Sequence, residues 1–131
     1  MLIFPPFKPA LFLAALAFGP VPMPASAFTA QNDLAVESEG GDAFRVLWRG
    51  PGGPADFWCA AGDYAVRVLH LPPTDTIYRA SATPRRSGEP MRFSLRADAA
   101  ADATGLLALG TKGAGLSVGH AQSLCERHWR D

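Results

Sequence analysis

Five sets of residues in this chain have types and spacings that could do chemistry. The first is Cys59 and Cys125, the two cysteines of 131 residues. No Cys-x-x-Cys spacing is present, which disfavours thioredoxin-like exchange chemistry. An even count in a small exported domain reads as a disulfide, with a reactive thiol or a metal-binding pair as the alternatives. The bond would close a loop of about 66 residues, for which chain entropy alone gives roughly 4 kcal/mol as an upper figure. The second set is Gly115-Leu116-Ser117-Val118-Gly119, a match to the Gly-x-Ser-x-Gly nucleophile elbow. That motif needs a strand before it, a helix after it, and an acid and then a histidine further on. With 12 residues left after Gly119, a hydrolase sheet does not fit this order, so the glycines are read as turn or packing positions.

His120, Cys125 and His128 form the third set. A tetrahedral metal site needs four ligands, or three and a water; this spacing matches no recognised ligand pattern, and no metal or cofactor is expected. Asp56, Asp63 and His70 share the polar side of one helical stretch. They span about 20 Å on helical rise, too far for one acid–base site, and read as a solvated face. The fifth set is Arg79, Arg85, Arg86, Arg92 and Arg96, which fall within 18 residues beside a single Glu89. Guanidinium forks bind carboxylates and phosphates bidentately, so this stretch is the candidate anion-binding site. The competing reading is the wet face of a hairpin, its charges protecting the edge from aggregation.

The elements that must position these residues begin after a leader. Lys8 gives a weakly positive start, Ala10–Phe18 is a nine-residue apolar run, and Gly19-Pro20 breaks it. Ala25-Ser26-Ala27 offers small residues where a signal peptidase reads, so residues 1–27 are expected to be a cleaved signal peptide, with release to the periplasm or medium. A membrane span would need roughly 20 apolar residues, twice this run. The remaining 104 residues, 28–131, carry 11 basic and 12 acidic groups. That balance gives no global attraction to nucleic acid or a membrane surface.

Within them, Gly53–His70 is the organiser. Phe57, Trp58, Ala61, Tyr64, Ala65, Val68 and Leu69 fill one side at a period of 3.6. Pro54 suits the first turn, Asp56 complements the dipole there, and Pro72-Pro73 ends the helix. Asp63 and Arg67 at i,i+4 support the wet face, and Ala61, Gly62 and Ala65 would let a sheet approach closely. Gln31–Asp42 reads as a short or edge strand, turning at Gly40-Gly41-Asp42. Ala43–Arg49 is a half-buried strand with Phe44, Val46 and Trp48 inward. Thr76–Ala82 and Met91–Arg96 make a hairpin around Pro84–Pro90, and Ala97–Thr104 is a brief helix or loop. Gly105–Gly110 and Gly115–Gly119 could pair as a small hairpin. The end is read as a strand to about Leu124 with a tail; the alternative is a helix from Ser117 that puts Ala121, Leu124, Cys125, His128 and Trp129 on one face. The fold expected is a single α+β domain, a small antiparallel sheet of about five strands with one amphipathic helix packed on one face.

Three segments carry a resemblance: FWCAAGDYA around Cys59, TIYRASA with the following PRRSG, and LSVGHAQSLC at the end. Together they resemble uncharacterised families of small exported alphaproteobacterial proteins. The resemblance implies export and a Cys59–Cys125 pairing, and it carries no catalytic or binding residue. The function expected is therefore a non-enzymatic accessory or binding domain, partnered by an anionic surface polymer or another envelope protein. The alternatives are an anion-binding module on the arginine hairpin and, remotely, a small hydrolase, for which no acid–base–nucleophile set survives the spacing tests.

Overall fold

Alternation of apolar and polar residues builds the sheet. Phe44 and Val46 are buried while Ala43 and Arg45 between them are not, and the same alternation recurs at Ile77 and at Met91 and Phe93. The structure is a computed structural model and describes residues 27–50, 52–106 and 113–129, with 127–129 described by their backbone alone. The leader and most of the Gly105–Gly110 stretch lie outside these residues.

Six strands are found where five were expected: β1 (Phe28–Thr29), β2 (Ala35–Gly40), β3 (Ala43–Val46), β4 (Thr76–Arg79), β5 (Met91–Ser94) and β6 (Gly115–Ser117). They form one sheet in the order β1-β2-β3-β5-β4-β6, and every pairing is antiparallel. The β2–β3 hairpin closes through Gly40 and Gly41, both at positive φ, which is the geometry a tight turn requires. Trp48 lies beyond the end of β3 and is 43% exposed, so it leaves the inward face that its spacing assigned to it. β4 stops at Arg79, although the Ala80 N–H still bonds the Arg92 carbonyl across the hairpin at 2.7 Å.

The helix α1 (Pro54–Arg67) lies on this sheet. Its aromatic side interlocks with the strands: Tyr64 meets Phe44 at 4.7 Å between ring centroids, and Trp58 meets Phe93 edge-on at 4.9 Å. The opposite side is not solvated as its charges implied. Every residue from Phe57 to Ala65 is buried, because a second helix, α2 (Val118–Ser123), and a terminal 3-10 helix (Leu124–Trp129) pack across it. Asp63 is 1% exposed, and its Oδ2 accepts the Gln31 N–H at 2.9 Å and an Arg67 N–H at 3.1 Å. Buried carboxylates persist where such donors satisfy them. A hydrogen-bonded polar residue on a doubly covered helix has the same pattern in sequence as a wet one.

The chain end is therefore helical, not a strand to Leu124. Ser117 caps α2 by accepting the His120 N–H at 3.1 Å. The small residues favour helix on helix: a Cβ on Gly62 would stand 2.7 Å from the Gln122 nitrogen and 3.0 Å from the Ala121 Cβ. Gly62→Ala is thus expected to force α1 and α2 apart and lower stability by about 1–3 kcal/mol in urea unfolding, the usual cost of overpacking. A stabilised variant, as ordinary helix propensity would give, would contradict this contact.

Candidate functional site

The five arginines of the hairpin are not brought together. Arg79 is 1% exposed and points inward. Its guanidinium donates to the Ser81, Thr104 and Ala82 carbonyls at 2.9, 3.2 and 3.0 Å. Desolvation holds its pKa below the ordinary arginine value, partly opposed by Asp102. Arg85 donates to the Arg86 and Glu89 carbonyls and lies 4.6 Å over the Phe57 ring, on the helix side. Arg92 stands on the outer sheet face as a two-pronged partner of Glu39, at 3.0 and 2.6 Å. Arg96 makes the same fork to Asp98 at 3.0 and 2.6 Å. These forks lower the pKa of Glu39 and of Asp98. Arg92 also faces Arg45 across β3 and β5, and Arg45 is balanced by Glu37 at 2.7 Å. The outer face therefore carries a lattice of alternating charge with little net sign. Arg86 is the hairpin arginine whose guanidinium has no hydrogen bond among the described residues.

The remaining sets resolve into structural roles. Cys59 and Cys125 are joined by a disulfide, with Cα atoms 4.8 Å apart. Ser117 does sit where a strand passes directly into a helix, as a nucleophile elbow would, but its Oγ serves as the α2 cap. His120 is exposed, and His70 is an exposed residue at positive φ just past the end of α1. Asp56 caps α1 by accepting the Gly53 N–H at 3.0 Å on Oδ2. Among the described residues no group of three His, Cys, Asp or Glu is gathered closely enough to hold a metal ion.

A cleft that sequence reasoning missed lies at the start of α1. It encloses about 130 Å³ between Trp48 and Arg49 on one side and Asn32, Gly52, Asp56 and Phe57 on the other. Trp48 is one of two large apolar side chains exposed among the described residues. Asn32 is held in place, donating to the Asp56 carbonyl at 2.8 Å. Arg49 is exposed, and its guanidinium has no hydrogen bond among the described residues; Asp56 Oδ1 is likewise without one. The cleft thus offers an indole and a cation from the connection after β3 and a carboxylate oxygen from the first turn of α1. The signal available in sequence was an inward-facing position, Trp48, followed at once by Gly50–Gly53, which ends the strand before the residue can be buried. A wider hollow of about 500 Å³ runs along Phe28, Val36, Tyr64 and Val68, and its one charged lining residue, Arg67, is already paired with Asp63.

No protein-family model matches the chain, and no curated protein or solved structure is significantly similar to it.

Proposed function

We propose that the chain is an exported, non-enzymatic binding domain that engages a component of the cell envelope through the Trp48–Arg49 cleft. The observation that carries this reading is the exposed indole beside an arginine without a partner among the described residues, both on the connection between β3 and α1. Exposed aromatic and arginine side chains are the types that anchor binding interfaces, because each brings a large contact area with a polar handle. Export is supported by the apolar run before Ala25-Ser26-Ala27 and by a disulfide, which persists in oxidising compartments. β1 begins at Phe28, so cleavage after Ala27 leaves every described strand intact.

Two measurements on one preparation test this. The exported protein should have the intact mass of Phe28–Asp131 less two hydrogens, and it should co-sediment with washed envelope material. Trp48→Ala should reduce that co-sedimentation at least fivefold. Since Trp48 is 43% exposed and the rest of its surface is covered, the substitution also costs stability, and the comparison is made on protein whose near-UV spectrum shows a native core. A chain that keeps its first 27 residues in membranes contradicts the export half. Wild-type protein left wholly in the supernatant contradicts the binding half. The anion-binding reading of the arginine hairpin has less support, because Arg79, Arg85, Arg92 and Arg96 are already engaged inside the protein.

A further inference from the structure

We infer that the Trp48 cleft takes an uncharged pyranose ring, so that the envelope component is a glycan; this rests on the binding reading above and names its ligand class. Size is the first constraint. At about 130 Å³ the cleft is smaller than the ~300 Å³ at which pockets for whole drug-sized ligands begin, so it accepts one ring of a larger molecule. The second constraint is chemical. One wall is an indole exposed on its surface, which suits the apolar C–H face of a sugar ring. The rim carries both a donor, the Arg49 guanidinium, and an acceptor, Asp56 Oδ1, and a ring of hydroxyls both donates and accepts.

Other ligand classes fit less well. A cation could stack on Trp48 and pair with Asp56, but Arg49 would repel it. An anion would be drawn by Arg49 and repelled by Asp56, with no second cation lining the cleft. A purely apolar group would cover Arg49 and Asp56 without giving either a hydrogen bond, which costs free energy for each. A neutral polyhydroxylated ring meets all three features together.

The test is a titration of the disulfide-bonded Phe28–Asp131 protein, followed by the indole N–H resonance of Trp48. Trp48→Phe assigns that resonance as the one of the chain's three indole signals that disappears, and Trp58, fully buried with its own N–H bonded to the Thr104 carbonyl, serves as an internal reference. The probes are β-1,4-linked tetramers of glucose and of N-acetylglucosamine, a heparin tetrasaccharide and choline. A single-ring site should bind at least one neutral tetramer with Kd of about 1 mM. Trp48→Ala and Arg49→Gln should each weaken binding tenfold or more, with native amide dispersion in the NMR spectrum at the titration temperature as the control for folding. A response to glucose tetramers alone points to a neutral polysaccharide, and one to N-acetylglucosamine tetramers points to cell-wall strands. Silence with both neutral tetramers, a response confined to heparin or choline, or binding that survives in Trp48→Ala overturns the proposal. Envelope co-sedimentation with both neutral tetramers silent would overturn the sugar assignment and leave the binding reading standing.

Discussion

Changing Arg79 to alanine is expected to lower the unfolding free energy by about 3–5 kcal/mol, and Arg79→Met by about 1–3 kcal/mol. The two variants separate two effects. Arg79 is a buried cation whose side-chain hydrogen bonds among the described residues all go to main-chain carbonyls, those of Ser81, Ala82 and Thr104. Desolvating it is costly, and replacing a buried charge together with its partners by apolar groups is often neutral. Here the partners are main-chain carbonyls and cannot be replaced, so methionine fills the volume but leaves the Ser81 carbonyl without this donor, while Thr104 keeps the Trp58 indole and Ala82 is exposed to water. Alanine adds a cavity. Glycine at 105 reinforces the assignment, because a Cβ there would collide with the Arg79 guanidinium. The Ala101 N–H bonds the Arg79 carbonyl at 2.7 Å and the Trp58 indole bonds the Thr104 carbonyl at 3.0 Å. Losing Arg79 should therefore loosen Ala100–Leu106 first. Urea unfolding of the three proteins checks the order wild type, methionine, alanine. A methionine variant within about 0.5 kcal/mol of wild type would show that the guanidinium's desolvation cancels its hydrogen bonds.

How far the fold was legible in sequence depends on what covers each face. The β2–β3 hairpin follows from alternation in β3 and a glycine-rich turn, and the β4–β5 hairpin from alternation in β5 and a proline-rich loop, β4 itself alternating poorly in sequence; both hold at Phe44, Val46, Met91 and Phe93. Helix α1 was legible in type and in its start at Pro54, because the first turn and the apolar stripe agree. Its second buried side was not. Asp63 and Ala60 look like a wet face in periodicity and Gly62 like a seat for the sheet, and the position of α2 makes the first two interior and gives Gly62 a helix as its neighbour. That helix is only the second reading of the chain's end, because Gly119, Ala121, Ser123 and Cys125 also form a small-residue face at strand period, while the cap at Ser117 is the local signal that decides. The candidate cleft was hidden for a related reason. Trp48 continues the inward alternation of Phe44 and Val46, and tertiary geometry, not period, ends the strand before it. The arginine cluster shows the converse: Arg79 to Arg96 are close in sequence, yet a strand places successive side chains on opposite faces, so Arg79 goes to the core and Arg92 to the outer surface.

Replacing both Cys59 and Cys125 by alanine is expected to lower stability by about 2–5 kcal/mol, with the loss concentrated at the chain's end. The bond closes a separation of 66 residues, so it restricts about half of the 131-residue chain in its unfolded state. Its local effect in the folded state is larger still. The α1–α2 contact is made through Gly62, which has no side chain, and through Val118 and Ala121, which are small. A six-residue helix is far below the length that is stable by itself. The disulfide is therefore the strongest link between α2 with its following 3-10 turn and the rest of the protein. Without it, α2 should open as a unit while the sheet and α1 remain closed, although opening would uncover Asp63 and Ala60 to water. Native-state hydrogen exchange distinguishes the outcomes. In the disulfide-bonded protein the amides of Ala121–Ser123 should exchange with the same opening free energy as those in the middle of α1. In the double-alanine variant they should exchange at least a hundredfold faster than α1. Uniform loss of protection across both helices would show instead that the bond acts on the unfolded chain alone.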